Sequence, residues 1–316
     1  MKLLLAIMLV SMGLPSVVQA QSGQEQFYVA FNGGTFTITG YTGSGGAVTI
    51  PDNLGLPVTG IGDYAFSQCS SLTSVTIPDS VTNIGNFAFA LCPNLTSVSI
   101  GNGVVNIGDD AFAQNLNSIS NVIIGTNVIN IGNQSFFGCI FTNVIIPNSV
   151  KNIGAWAFSD CPNLISITIG NSVTNIGDDV FHYCHNLISV YFKGNAPSIG
   201  SDLFATDFKA IVYYLPGTSG WGNSFGNPEP FINPTPTALW VPNLQTSGIS
   251  LGVKTNQFGF NISWADGQTV VVEACTNFVN QLWQPIQTNT LTSDSSYFCD
   301  PQWLNYPSRF YRIRSP

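Results

Sequence analysis

Apolar positions recur along the middle of this chain with one long, nearly constant period. An Ile-Gly pair stands at Ile61, Ile84, Ile107, Ile131, Ile153, Ile176 and Ile199, in steps of 23, 23, 24, 22, 23 and 23 residues. Five residues after each Ile comes Phe66, Phe89, Phe112, Phe136, Phe158, Phe181 or Phe204. Three further on stand Cys69, Cys92, Asn115, Cys139, Cys161, Cys184 and Asp207. A short run such as LTSVTIP or LISITIG follows, and its Val-x-Ile alternation predicts a strand with one face inward. The 24 and 22 steps offset each other, with one residue gained near Asn117 and one lost near Phe141.

Such a period has a direct physical reading: each unit is one coil of a solenoid, and its apolar face is covered only by its neighbours. Ile84, Phe89, Leu95, Val98 and Ile100 form one coil's core set. Coils joined by strand pairing rise about 4.8 Å each, so seven span roughly 35 Å. Asp63, Asn86, Asp109, Asn133 and Asp178 follow the Ile-Gly pair. They are read as N-caps of a short helical turn, x-A-F-x-x-C. Asn83, Asn106, Asn130, Asn152 and Asn175 precede the Ile and are read as a turn ladder bonding neighbouring backbone.

The flanks differ from the repeat. Residues 1–20 combine Lys2, an apolar run from Leu3 to Val10 too short to span a bilayer, and Val18 and Ala20 ahead of Gln21. They read as a secretory signal peptide cut after Ala20. The Gly-rich, strand-rich stretch 21–46 reads as a cap on the first coil, and the solenoid as 47–227. A Pro-rich linker over 228–250 leads to alternating runs over 251–316, including QFGFNISW and QTVVVEAC. These predict a small all-β, sandwich-like domain. The fold class is a mostly β repeat solenoid with coils of about 23 residues, followed by that domain.

Composition narrows the function. Of 316 residues 44% are apolar and only 8% charged, and the net charge is −8. So few basic residues cannot build a nucleic-acid surface and disfavour anionic lipid. His182 and His185 are the only histidines, which leaves little room for imidazole catalysis or zinc chemistry. The doubled acids Asp109/Asp110 and Asp178/Asp179 are weak candidates for calcium or paired-carboxylate hydrolysis. The cysteine ladder reads as stacked, inert thiols. No catalytic residue, metal site or cofactor is assigned, and the reading is a non-enzymatic binding protein whose mature form does not span a membrane.

The pattern L-x-x-V-x-I-P-x-x-V-x-x-I-G-x-x-A-F-x-x-C, repeated in phase over about residues 47–207, resembles the bacterial surface leucine-rich repeat of the BspA-like type. The resemblance implies a curved right-handed solenoid and a secreted or surface-exposed protein, often linked to adhesion. Residues 251–316 resemble the C-terminal β-domains that follow such repeats in other secreted bacterial proteins.

Alternation then assigns the outward positions of the strand sheet, the concave one on that resemblance. The candidate ligand-binding residues are Ser97, Ser99, Asn121, Ile123, Asn143, Ile145, Ser166, Thr168 and Tyr191. Ile123 and Ile145 fall in successive coils and are expected side by side, about 5 Å apart, as an apolar spot with a polar rim. The partner is a protein or a glycan; Tyr64, Phe87 and Trp156 are the aromatics that favour the glycan. Cys275 and Cys299 lie on predicted strands and are candidates for a disulfide, and Glu273 for pairing with Arg312 and Arg314.

Overall fold

A computed structural model of the chain describes residues 17–19, 26–115, 118–205, 209–226, 235–245, 251–254, 257–277, 282–293, 295–306 and 308–316. Most of the expected leader, its cleavage point and most of the expected linker lie outside these residues. The chain divides into two compact units, one holding the repeat to Tyr214 with Thr218–Ala238, the other Leu215–Gly217 with Leu239–Pro316.

In the repeat unit each coil contributes two strands. Short strands at the Asn-Ile dipeptides stack in parallel, Asn83 beside Asn106, Asn106 beside Asn130, and on to Asn175 beside Ser198. They continue the first-coil strand Val58–Ile61 and the cap strands Thr35–Tyr41 and Phe27–Asn32 in one unbroken sheet. The longer strands of the Val-x-Ile runs form the second wall, with Val75, Val98, Ile167 and Val190 buried beneath it. Between the walls the seven phenylalanines form a column: Phe66, Phe89, Phe112, Phe136, Phe158, Phe181 and Phe204 stack with successive centroids 4.8, 5.2, 5.3, 5.4, 6.3 and 5.5 Å apart. Each of the five inner rings is covered above and below by the same residue of the adjoining coils, which is why no coil can hold its core alone.

The expected helical turn is absent. The segments after five of the Ile-Gly pairs hold two left-handed residues four apart, Tyr64 and Gln68, then Phe87 and Leu91, Asp110 and Gln114, Trp156 and Asp160, Asp179 and Tyr183, with φ between 54° and 62°. An α-helix cannot tolerate such residues. The turn instead bonds to the next coil: Tyr64, Phe66 and Gln68 donate their N–H groups to the carbonyls of Asn86, Ala88 and Ala90 at 3.0, 2.7 and 2.9 Å. Cooperation between coils therefore overrides the local cap signal.

The Asp/Asn position serves the same ladder rather than capping its own turn. Asp63 Oδ1 accepts from Asn86 N at 2.7 Å, Asn86 from Asp109 at 2.8 Å, Asp109 from Asn133 at 2.7 Å and Asn133 from Ala155 at 2.8 Å. Three of the asparagines before Ile bond one another through their side chains: Asn130 Nδ2 donates to Asn106 Oδ1 and Asn152 Nδ2 to Asn130 Oδ1, both at 2.7 Å. The glycine of Ile-Gly is a matter of clearance. A Cβ on Gly132 would lie 2.5 Å from Gly108 C and 2.6 Å from its carbonyl oxygen.

The longer-strand wall is interrupted once. Gly46–Thr49, Leu72–Ile77, Ser97–Ile100 and Asn121–Ile123 form one parallel sheet, whereas Asn143–Ile146, Ser166–Ile169, Ser189–Phe192 and Ile211–Tyr214 belong to another. The interruption falls between the 24-residue and the 22-residue coil. Around it, Ile140 N still donates to Ile119 O and Lys151 N to Ile129 O, both at 2.8 Å. Phe141, which takes the core-leucine position after the lost residue, is buried edge-on against Phe136 and Phe158.

The second unit has two antiparallel sheets. Gln257–Ser263 pairs with Asn243–Gln245, Gly252–Lys254 and Ser295–Asp300, and Thr269–Cys275 with Gln284–Thr290 and Phe310–Arg314. Phe260, Ile262, Trp264, Val270, Val272, Leu291 and Phe298 share one buried cluster. Asn243–Gln245 was expected in the linker; it is a strand because Leu244 joins that cluster from its edge.

Candidate binding face of the repeat

The strand register sets the outward residues in rows. Asn121 lies beside Ser97 and Ile123 beside Ser99. Beyond the interruption, Asn143, Ser166, Ser189 and Ile211 form one row, and Ile145, Thr168, Tyr191 and Tyr213 a second. The polar row is knitted from within: Asn121 Nδ2 donates to Ser97 Oγ at 3.2 Å and Ser166 Oγ to Asn143 Oδ1 at 2.7 Å. None of these positions is charged, although the chain is strongly acidic.

Ile123 and Ile145 are both outward, 58% and 68% exposed. They are not the paired neighbours the repeat spacing predicts. Ile123 sits on the last strand of one sheet and Ile145 on the first strand of the next. The shifted coil lengths on either side remove the hydrogen-bonded register that would have set them abreast.

The larger apolar area lies in the later coils, and sequence reading missed part of it. Ile165 and Ile188 are 44% and 52% exposed, and Ile188 N donates to Ile165 O at 2.9 Å, so they are nearest neighbours. Tyr191 and Tyr213 stack with centroids 5.0 Å apart. The signal was present: Ile165 and Ile188 replace the Thr73, Thr96 and Thr142 of the same repeat position.

The aromatic alternative fares differently. Tyr64 and Phe87 are stacked face to face, 5.0 Å apart at an interplanar angle of 1°. Each covers one face of the other, which leaves only the outer faces of the pair for a sugar ring, and Tyr64 is 60% exposed. Trp156 leans on His182, 5.3 Å between centroids. His182 also stacks on Tyr183 at 4.0 Å, with Nδ1 3.3 Å from Asp179 Oδ1, and His185 meets Tyr183 edge-on.

The acids and thiols are occupied by the scaffold. Asp109 Oδ1 and Asp178 Oδ1 each accept an N–H from the following coil, at 2.7 and 2.6 Å. Burial and then neighbouring Asp109 push the Asp110 carboxyl above its ordinary range. Cys92, Cys139, Cys161 and Cys184 are buried, and the Sγ of Cys92, Cys161 and Cys184 reaches the carbonyl of Phe66, Phe136 and Phe158 at 3.1, 3.5 and 3.1 Å. Burial pushes the Cys92 thiol up to about 12 and raises Cys139 still further. Among the described residues no group of three or more His, Cys, Asp or Glu side chains is placed to hold a metal ion.

The expected Cys275–Cys299 bond is not formed. Cys275 lies opposite Phe310 in one sheet, Cys299 opposite Gly259 in the other, and both are thiols. Glu273 does pair as expected, accepting from Arg312 Nε at 2.6 Å and Arg314 Nε at 3.0 Å.

Comparison with known proteins places these features. The model of the BspA type leucine rich repeat region matches residues 46–120 and 114–216. The leucine rich repeat protein of T. pallidum, TpLRR, is 32% identical with a TM-score of 0.56, over 60% of this chain and 90% of that one. A leucine-rich repeat protein from Bacteroides ovatus is 21% identical with a TM-score of 0.43, over 60% of this chain and 70% of its own. A leucine rich cell surface protein from Faecalibacterium prausnitzii is 24% identical with a TM-score of 0.33, over 63% and 76%. No curated protein matches. Since the repeat model spans more than half of the sequence, the chain belongs to the BspA-type leucine-rich repeat family.

Proposed function

We propose that this is a secreted or cell-surface binding protein, non-enzymatic, that contacts a protein partner through the longer-strand wall of its solenoid. One observation carries the reading: the outward positions of that wall hold no charge in a chain of net charge −8, Ile145 and the Tyr191–Tyr213 stack lie exposed or half-exposed upon it, and Ile165 and Ile188 are exposed immediately before its strands. An apolar area rimmed by Ser, Thr and Asn is the composition of an interface core with its polar rim. Affinity would come from apolar burial and neutral hydrogen bonds, with little dependence on salt.

Export fits residues 1–20 as a cleaved leader, and among the described residues no helix is long and apolar enough to cross a membrane. The family supports a surface role. A small sandwich-like domain over the C-terminal unit completes the proposed organisation.

The test is retention of residues 21–316 on immobilised surface proteins and on insoluble glycans, beside Ile145→Asp/Ile188→Asp. Retention on protein that the double variant loses at least tenfold supports the reading. Retention on glycan that the variant keeps overturns it.

A further inference from the structure

The cap strand Phe27–Asn32 is bounded by Thr35–Tyr41 on one edge and by Val17–Gln19 on the other, in antiparallel register with Val17 opposite Ala30 and Gln19 opposite Tyr28. Val17–Gln19 lies in the segment read as a cleaved leader. Its removal would take away the strand that pairs with the outer edge of Phe27–Asn32.

That edge carries a register irregularity between Tyr28 and Val29 but none of the charges or prolines that normally guard a sheet end. FYVAFN contains no Lys, no Pro and no charge, and no charged residue occurs from Gln26 to Pro51. Exposed edges of this kind pair with further strands. Phe27 and Val29 are buried inward and Phe31 is exposed, so the strand is anchored on its core through one face. The short segment seated on it shows the sense of pairing that the edge accepts.

We propose that leader removal opens this edge and that a second copy of the chain fills it, strand Phe27–Asn32 pairing antiparallel with itself across a twofold axis. The uncharged stretch makes the contact free of like-charge repulsion even though each chain is acidic, and an isologous contact of this type closes at two copies. The inference rests on the reading that residues 1–20 are removed.

The test is sedimentation of residues 21–316 over a wide concentration range, beside Ala30→Lys in the same chain and beside a chain beginning at Ser16. The expected result is a dimer for residues 21–316. Ala30→Lys and the Ser16 chain are expected at half that mass, with circular dichroism unchanged, because a charge or the retained strand blocks the edge. A monomeric 21–316 chain overturns the proposal, and so does dimerisation that both other chains retain undiminished. If Ala30→Lys loses its fold, the Ser16 chain decides alone. The mass of the exported protein tests the leader separately: a start at Gln21 supports the cleavage, and an intact leader overturns the reading beneath the proposal.

Discussion

Asn115 Oδ1 accepts the backbone N–H of Cys92, one coil back, at 2.5 Å, from the repeat position that five other coils fill with cysteine. Its Nδ2 donates to Phe112 O at 2.8 Å and to Phe89 O at 3.2 Å. Phe89 O is the counterpart of the carbonyl that the Cys92 thiol reaches. The amide thus reproduces the thiol's bond and adds others, which explains why a polar residue is accepted in a core column. Asn115→Leu should cost about 2–4 kcal/mol, since buried backbone groups lose their partners. Asn115→Cys should cost less, because the bond to Phe89 O is restored. Urea unfolding followed by tryptophan fluorescence ranks the two.

Gly132→Ala forces a Cβ to within 2.6 Å of the backbone of the preceding coil, whereas on Gly62 the nearest atom, Ile38 O, is 3.2 Å away. The first change should lower stability by about 2–3 kcal/mol and the second by under about 1 kcal/mol. Thermal melting of the pair, recorded side by side, checks the ratio.

Gln134 is left-handed at φ 51° with its N–H bonded to Ala155 O at 2.9 Å. Gln134→Gly removes a Cβ penalty and should stabilise by up to about 1 kcal/mol, while Gln134→Val should destabilise by about 2 kcal/mol. Were the turn helical, the order of the two would reverse.

The buried thiols make stability fall at alkaline pH. The Cys92 thiol is raised from 9.0 to about 12 by burial, so the unfolded chain releases its proton first. Its stabilising contribution is complete below about pH 9 and is lost as the pH climbs toward 12. Cys92→Ala should flatten that limb of the unfolding profile. A thiol reagent at pH 8 should label Cys69 and Cys299 while leaving Cys92, Cys139, Cys161 and Cys184 unmodified until denaturant is added.

Glu273 behaves oppositely. Hydrogen bonds from Arg314 and then Arg312 hold its carboxyl below the usual range. The contribution is present above the ordinary carboxylate range and is lost as the pH falls through the lowered value. Arg312 and Arg314 are half-exposed and screened by solvent, so Glu273→Gln should cost about 1–2 kcal/mol. Acid unfolding of the variant should then show a shallower dependence on pH.

The period, the phenylalanine column and the inward faces of the strands were legible because they follow from spacing alone. Phe89 and Val98 had to be interior whatever the backbone did between them. The turn was misread because Asp63 and Asn86 satisfy the same preference in a helix cap and in a ladder between coils, and only the next coil's N–H decides. Ile145 could be placed outward by alternation. Its separation from Ile123 could not, because losing a residue near Phe141 changes pairing without changing the alternation. Ile165 and Ile188 were overlooked for a simpler reason: they stand just before the alternating run, where Thr is the usual residue.

The interruption between Asn121–Ile123 and Asn143–Ile146 has a mechanical consequence. The short-strand wall passes it unbroken through Asn106, Asn130 and Asn152, so one side of the solenoid is continuous while the other is parted. A tensile load along the stack meets no longer-strand ladder at that point. Force would open the parted side first and flex the continuous side as a hinge, giving this repeat a defined yield point between two stiffer blocks.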